Sequence, residues 1–197
     1  MKNQKENKME PTKIKMGEEI VEIPKIPYDL KIAGILRGLH SIYALTIVKL
    51  YEKYGEGVLE EASKVWYAMG LQAGEEIKKL SMKKSGKTEM GIEEYFRYGP
   101  YSIEGMGFFD IGLELKCMEA TEKKATGRMI HCPFLTIWKS AGINDEKMIA
   151  KLCKTLYPFD EAFIKAFNPK MKVLYSCDKP GFEDGKDYCQ IEIELAD

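Results

Sequence analysis

Cys132 is followed by Pro133 and then by Phe134, Leu135, Ile137, Trp138 and Ala141, apolar positions at helical spacing. Proline is favoured at the first helical position, where its missing N–H would have no partner anyway. Cys132 is therefore the expected N-cap, facing free backbone N–H groups and the positive end of the helix dipole. A thiol held there is expected to have a lowered pKa, which favours the nucleophilic and metal-ligating thiolate. The same residue also reads as a small buried hydrophobe at a strand-to-helix corner.

Cys132, Cys153 and Cys189 can supply three thiolates to a metal ion or an iron–sulfur cluster, with His131, Cys177 or a carboxylate as the fourth ligand. The close C-x-x-C pairing of most structural zinc sites is missing. For acid–base or nucleophilic chemistry, His131 adjoins Cys132 as a proton carrier, although neighbours on a strand point to opposite faces. Asp160 is a second acid or base, and locally it also reads as a helix N-cap. His40 lies beside the apolar stripe of the first helix and reads as a core or boundary residue. The aromatic group Tyr95, Phe96, Tyr98 and Tyr101 suits core packing or the wall of an apolar pocket. No G-x-G-x-x-G or G-x-x-x-x-G-K-[ST] phosphate loop is present.

The elements that must position these residues fall into two halves. Asp29 to Gly55 predicts a helix with the stripe Ile32, Ile35, Leu36, Leu39, Tyr43, Ile47, Leu50 and Tyr54. Gly57 to Lys83 predicts a second, joined by a Gly-Glu-Gly link that favours an antiparallel hairpin. Gly70, Ala73 and Gly74 permit close backbone approach between the two helices. Ile92 to Tyr98 predicts a short helix. After that the period changes to two. Phe109–Cys117 and Ala125–His131 read as a hairpin, and Met171–Cys177 and Cys189–Leu195 as two further strands. Between them come the Cys132 helix, ended by Gly142, a helix capped by Asn144 that stops before Pro158, and a short helix from Asp160 to Phe167. The expected fold is α+β: an N-terminal helical hairpin, then an antiparallel sheet of about four strands with inserted helices. Residues 1–26 form a flexible arm whose part from Glu18 to Ile26 is a short edge strand or extended. Residues 27–197 form one domain, with the hairpin at 27–86 and the sheet–helix part at 104–197. Cys117, Cys177 and Cys189 then face the apolar side of the sheet, and Cys153 points inward from its helix.

Composition limits the partners. Lys plus Arg (30) balances Asp plus Glu (31), so nothing favours nucleic acid. The lysine-rich start lacks the apolar core of a secretory signal, and no run of about 18 apolar residues predicts a membrane span. Five cysteines, an odd count without a dense framework, fit a reducing compartment, and a cytoplasmic protein is expected. The expected partner is a small-molecule substrate or ligand, and a homodimer is compatible with the sequence.

The segments GRMIHCPFLTIWKSAG, Leu152-Cys153, DEAFIKAFNPKMKV and GKDYCQIEIEL together resemble the L-2-amino-thiazoline-4-carboxylic acid hydrolase-like family. The resemblance covers most of the chain after Ile26 and is clearest after Gly127. It implies an α+β domain akin to vinyl-reductase-like small-ligand domains, and it places Cys132, Cys153, Asp160 and Cys189 on family motif positions. It further implies hydrolysis of a C–N bond in a cyclic amidine of the thiazoline type. Cys132 or a metal-bound hydroxide would attack the amidine carbon, and Asp160 or His131 would supply the proton. The competing expectation is a binding or sensor module whose cysteines hold a metal, an iron–sulfur cluster or a tetrapyrrole. Cys117 and Cys177 are additional to the family pattern, and Arg128 is the obvious arginine in this half for a substrate carboxylate.

Overall fold

The computed structural model describes residues 12–16, 19–23, 28–99, 114–175 and 189–196. Within these, β1 (Thr12–Met16) and β2 (Glu19–Ile23) pair antiparallel as a two-stranded ribbon, with Ile14 opposite Val21. The sequence predicts a flexible arm over residues 1–26, with a strand or extended segment only from Glu18 to Ile26. Five residues broken by lysines are too few to display a strand's alternation, and pairing with β2 supplies what the local pattern lacks.

Helices α1 (Tyr28–Tyr54) and α2 (Gly57–Ser85) follow within two residues of their expected limits. Gly55, at φ +77°, turns the chain between them in a conformation that L side chains rarely adopt. Their packing differs from the expected hairpin, because α2 lies far more extensively on α5 (Glu146–Phe167) than on α1. The small residues of α2 serve that contact. A Cβ on Gly70 would stand 2.3 Å from the carbonyl oxygen of Phe159, and one on Gly74 2.5 Å from that of Phe163.

The stripe of α1 is also rotated from its expected position. Ala33, His40 and Ala44 are buried, while Ile35, Leu39, Ile42 and Tyr54 are exposed. By length and composition alone, Leu30–Tyr54 is long and apolar enough to cross a membrane, a test that the core helix of a soluble protein passes as well. In this fold its other face packs with Ile137, Trp138, Ile149 and Leu152 in one of the two core clusters.

The short helix α3 (Ile92–Tyr98) precedes the sheet strands β3 (Glu114–Ala120) and β4 (Lys124–His131). The part of the expected first strand before Glu114 lies outside the described residues. Helix α4 (Pro133–Ser140) follows, then α5, β5 (Met171–Tyr175) and β6 (Cys189–Leu195). The sheet order is β3-β4-β6-β5, antiparallel throughout, so β4 and β6 are central. This is the expected α+β class.

One helix stands where two were expected. Pro158 lies inside α5, and the N-cap is Asp145, whose Oδ1 accepts from the Lys147 N–H at 2.9 Å, rather than Asn144. An interior proline costs about 3 kcal/mol. Burying Phe159, Phe163 and Phe167 along one face stabilises the continuous helix by roughly 1.5–3 kcal/mol per side chain, which outweighs it. Asp160 is thus a mid-helix residue and not the cap that its local sequence suggests.

Candidate functional site

Cys132 directly follows β4 and caps α4 in extended conformation, with Pro133 at the first helical position, as its sequence requires. Cys153 comes from α5 and Cys189 opens β6. The sheet and the two helices bring all three thiols to one cavity of about 80 Å³, whose wall also includes Met129, Phe134, Tyr157, Asp160 and Gln190. None of the three is joined in a disulfide, and each is partly buried. Residues far apart in sequence therefore share one cavity wall.

The electrostatics differ from the expectation. Burial pushes the Cys132 thiol above its ordinary pKa, and the backbone N–H groups of Phe134 and Leu135 only partly oppose this. No side-chain capping hydrogen bond closes on the sulfur. The resting group is a thiol, and it needs a base before it can attack.

The expected metal or iron–sulfur centre finds no support. Among the described residues, no three or more Cys, His, Asp or Glu side chains are grouped closely enough to hold a metal ion. The thiols share a cavity wall but arrive from three different elements, and a ligand set needs its donors within about 2.3 Å of one point. The side chains of Cys117 and Cys177 lie outside the described residues.

His131 is exposed and lines a different pocket with Arg37, Ser41, Thr136 and Ser140. It is one residue before Cys132 on an extended backbone, and the alternation of such a backbone turns it away from the thiol cavity. Asp160 is 8% exposed and lines the cavity, so it is the carboxylate placed beside the thiols.

His40, which the sequence places in the core or at its boundary, is buried and also faces a cavity. This second cavity, of about 290 Å³, is walled by Leu36, Leu39, Tyr43, Trp66, Met69 and Phe159. Phe134, Leu156 and Asp160 belong to both walls, so the two cavities adjoin. The imidazole packs 4.5 Å from the Phe134 ring and lies parallel to Trp66 at 6.2 Å. Its Nδ1 is sealed from solvent and has no hydrogen-bond partner. Burial lowers its pKa from 6.5 to about 4, so the ring is neutral at physiological pH. A signal existed in the sequence: Leu36, His40, Tyr43 and Ile47 form a helical stripe of their own. Behind them, Tyr43 Oη and Thr155 Oγ1 lie 2.6 Å apart, linking α1 to α5.

Residues 39–193 match the model of the L-2-amino-thiazoline-4-carboxylic acid hydrolase family. No curated protein matches the sequence. Among solved structures, the fold is similar to a trafficking protein particle complex subunit 3 from Naegleria fowleri, described as covalently bound to palmitic acid. That likeness has a TM-score of 0.46 and 13% identity, over 80% of this chain and 95% of the other.

Proposed function

Because this chain belongs to the L-2-amino-thiazoline-4-carboxylic acid hydrolase family, we propose that it is a hydrolase-like enzyme opening a C–N bond of a small cyclic amidine at the Cys132 cavity. The observation that supports the reading is that Cys132, at the start of α4, and Asp160, from α5, line one cavity. Asp160 takes the thiol proton as the sulfur bonds to the amidine carbon, which overcomes the raised thiol pKa. The ring C–N bond then breaks, and the proton passes from Asp160 to the departing nitrogen. Water attacks the same carbon, the carbon–sulfur bond to Cys132 breaks, and the thiol regains its proton while a carbamoyl product leaves. Cys153 and Cys189 shape the wall.

The test is turnover of a panel of cyclic amidines and isothioureas, including 2-amino-thiazoline-4-carboxylate, by the wild type, Cys132→Ser and Asp160→Asn. Both variants should lose at least about a hundredfold in kcat with unchanged circular dichroism. Full activity in Cys132→Ser would remove the thiol from the reaction. No hydrolysis of any panel member would overturn the reading.

A further inference from the structure

The larger cavity around His40 plays no part in the chemistry above, yet it adjoins the place where that chemistry occurs. Its wall is aliphatic and aromatic side chains from α1, α2, α4 and α5, joined to the thiol cavity through Phe134, Leu156 and Asp160. Concave apolar pockets of this kind suit apolar occupants.

Among the described residues, neither wall includes a lysine or arginine, and Asp160 is a carboxylate common to both. Arg128 Nε donates to Gln190 Oε1, on the wall of the thiol cavity, at 3.0 Å. His40 contributes no positive charge, because burial keeps it neutral. An anionic occupant would lose its hydration without meeting a cation among these described residues. With Nδ1 sealed and unpartnered, any polar contact from the imidazole to an occupant is made through Nε2. An orphaned acceptor is better tolerated than an orphaned N–H, which leaves the proton on Nε2 as a donor.

We propose that this chain binds a neutral, largely apolar small molecule across both cavities, its aliphatic or aryl part beside His40 and its hydrogen-bonding end at Asp160 and the thiols. As a statement about substrate, this rests on the hydrolytic reading of the Cys132 cavity. The amidine would then carry an apolar substituent where the family's namesake substrate carries a carboxylate. As a statement about binding, it stands without that reading.

The experiment is a fluorescence titration of the full chain with N-phenyl-1-naphthylamine, a neutral apolar fluorophore, followed by displacement. Saturable binding that quenches Trp66 is expected, with the quenching lost in Trp66→Phe while the probe still binds. n-Octanol should displace the probe at concentrations at least about tenfold lower than 2-amino-thiazoline-4-carboxylate needs. Met69 is at the exposed rim. Met69→Glu should weaken the probe at least about tenfold with unchanged circular dichroism, whereas Met69→Leu should bind as the wild type does. Absence of saturable binding would overturn the proposal, whether the cavity is closed in the monomer or covered in a dimer. So would displacement by the thiazoline acid at lower concentration than octanol, or an affinity indifferent to Met69→Glu. No turnover is measured, so failed hydrolysis of the amidine panel and failed binding here remain separate results.

Discussion

Gly70 on α2 lies so close to Phe159 on α5 that a β-carbon there would come within 2.3 Å of the Phe159 carbonyl oxygen. This contact sets the spacing of the two helices that wall the His40 cavity. Main chain cannot yield as a flexible side chain can, so Gly70→Ala should destabilise by about 3 kcal/mol despite the better helix propensity of alanine. For a chain of this size, that lowers Tm by roughly 6–12 °C. Gly38 lies mid-α1 with nothing within 4 Å of its virtual Cβ, and Gly38→Ala should stabilise by up to about 1 kcal/mol. Two thermal melts decide the matter. Equal effects of the same sign would sink the packing account.

His40 should make the fold acid-sensitive. Its pKa is about 4 in the folded chain against 6.5 unfolded. The unfolded chain therefore binds a proton first as pH falls from 6.5. Stability is full above that value and declines towards pH 4, by about 3 kcal/mol from this group. Urea titrations of the wild type and His40→Phe between pH 7 and 4 should differ by that amount in slope-integrated stability. Parallel curves would show that the imidazole is not buried neutral.

Cys132 should react slowly with alkylating agents. Burial raises its pKa, so thiolate is scarcer at pH 7.5 than in the unfolded chain. Peptide-resolved mass spectrometry of iodoacetamide labelling should show modification of Cys132 accelerating on unfolding and still rising with pH above about 9. The linkage has the corresponding sign: the stability contribution is complete below the unfolded pKa and is lost as pH rises through the folded one. A labelling rate that levels off below pH 8 would restore the low-pKa expectation and remove the need for Asp160 as base.

Glu94 should hold α3 in place. Burial alone would raise its pKa, but the Lys87 ammonium and the Gly91 N–H, at 2.9 Å, hold it below the ordinary carboxylate value. Glu94→Ala should cost about 2 kcal/mol near neutral pH, since it removes charge-assisted hydrogen bonds from a buried site. The sign follows from the lowered pKa: this stability is present above the unfolded carboxylate pKa and disappears as pH falls through the folded one. Chemical denaturation at pH 7 and pH 3 should find the variant's deficit large at the first and small at the second.

The sequence by itself determined the class, the order of most elements, and the thiol at the start of α4. Periods of 3.6 and 2 are written into residues close together in the chain, and so is the Cys132-Pro133 cap. It also marked Cys153, Asp160 and Cys189, whose convergence on one cavity then followed from the sheet order and the long α5. The tertiary structure decided the rest. It carried α5 through Pro158, made α5 rather than α1 the partner of Gly70 and Gly74, separated His131 from the thiols, and put His40 into an apolar cavity. It also reversed the expected shift of the Cys132 thiol. Each of these depends on what surrounds a residue from distant parts of the chain. Desolvation, backbone approach and the choice of buried helix face arise only when those parts pack, and no local pattern encodes them.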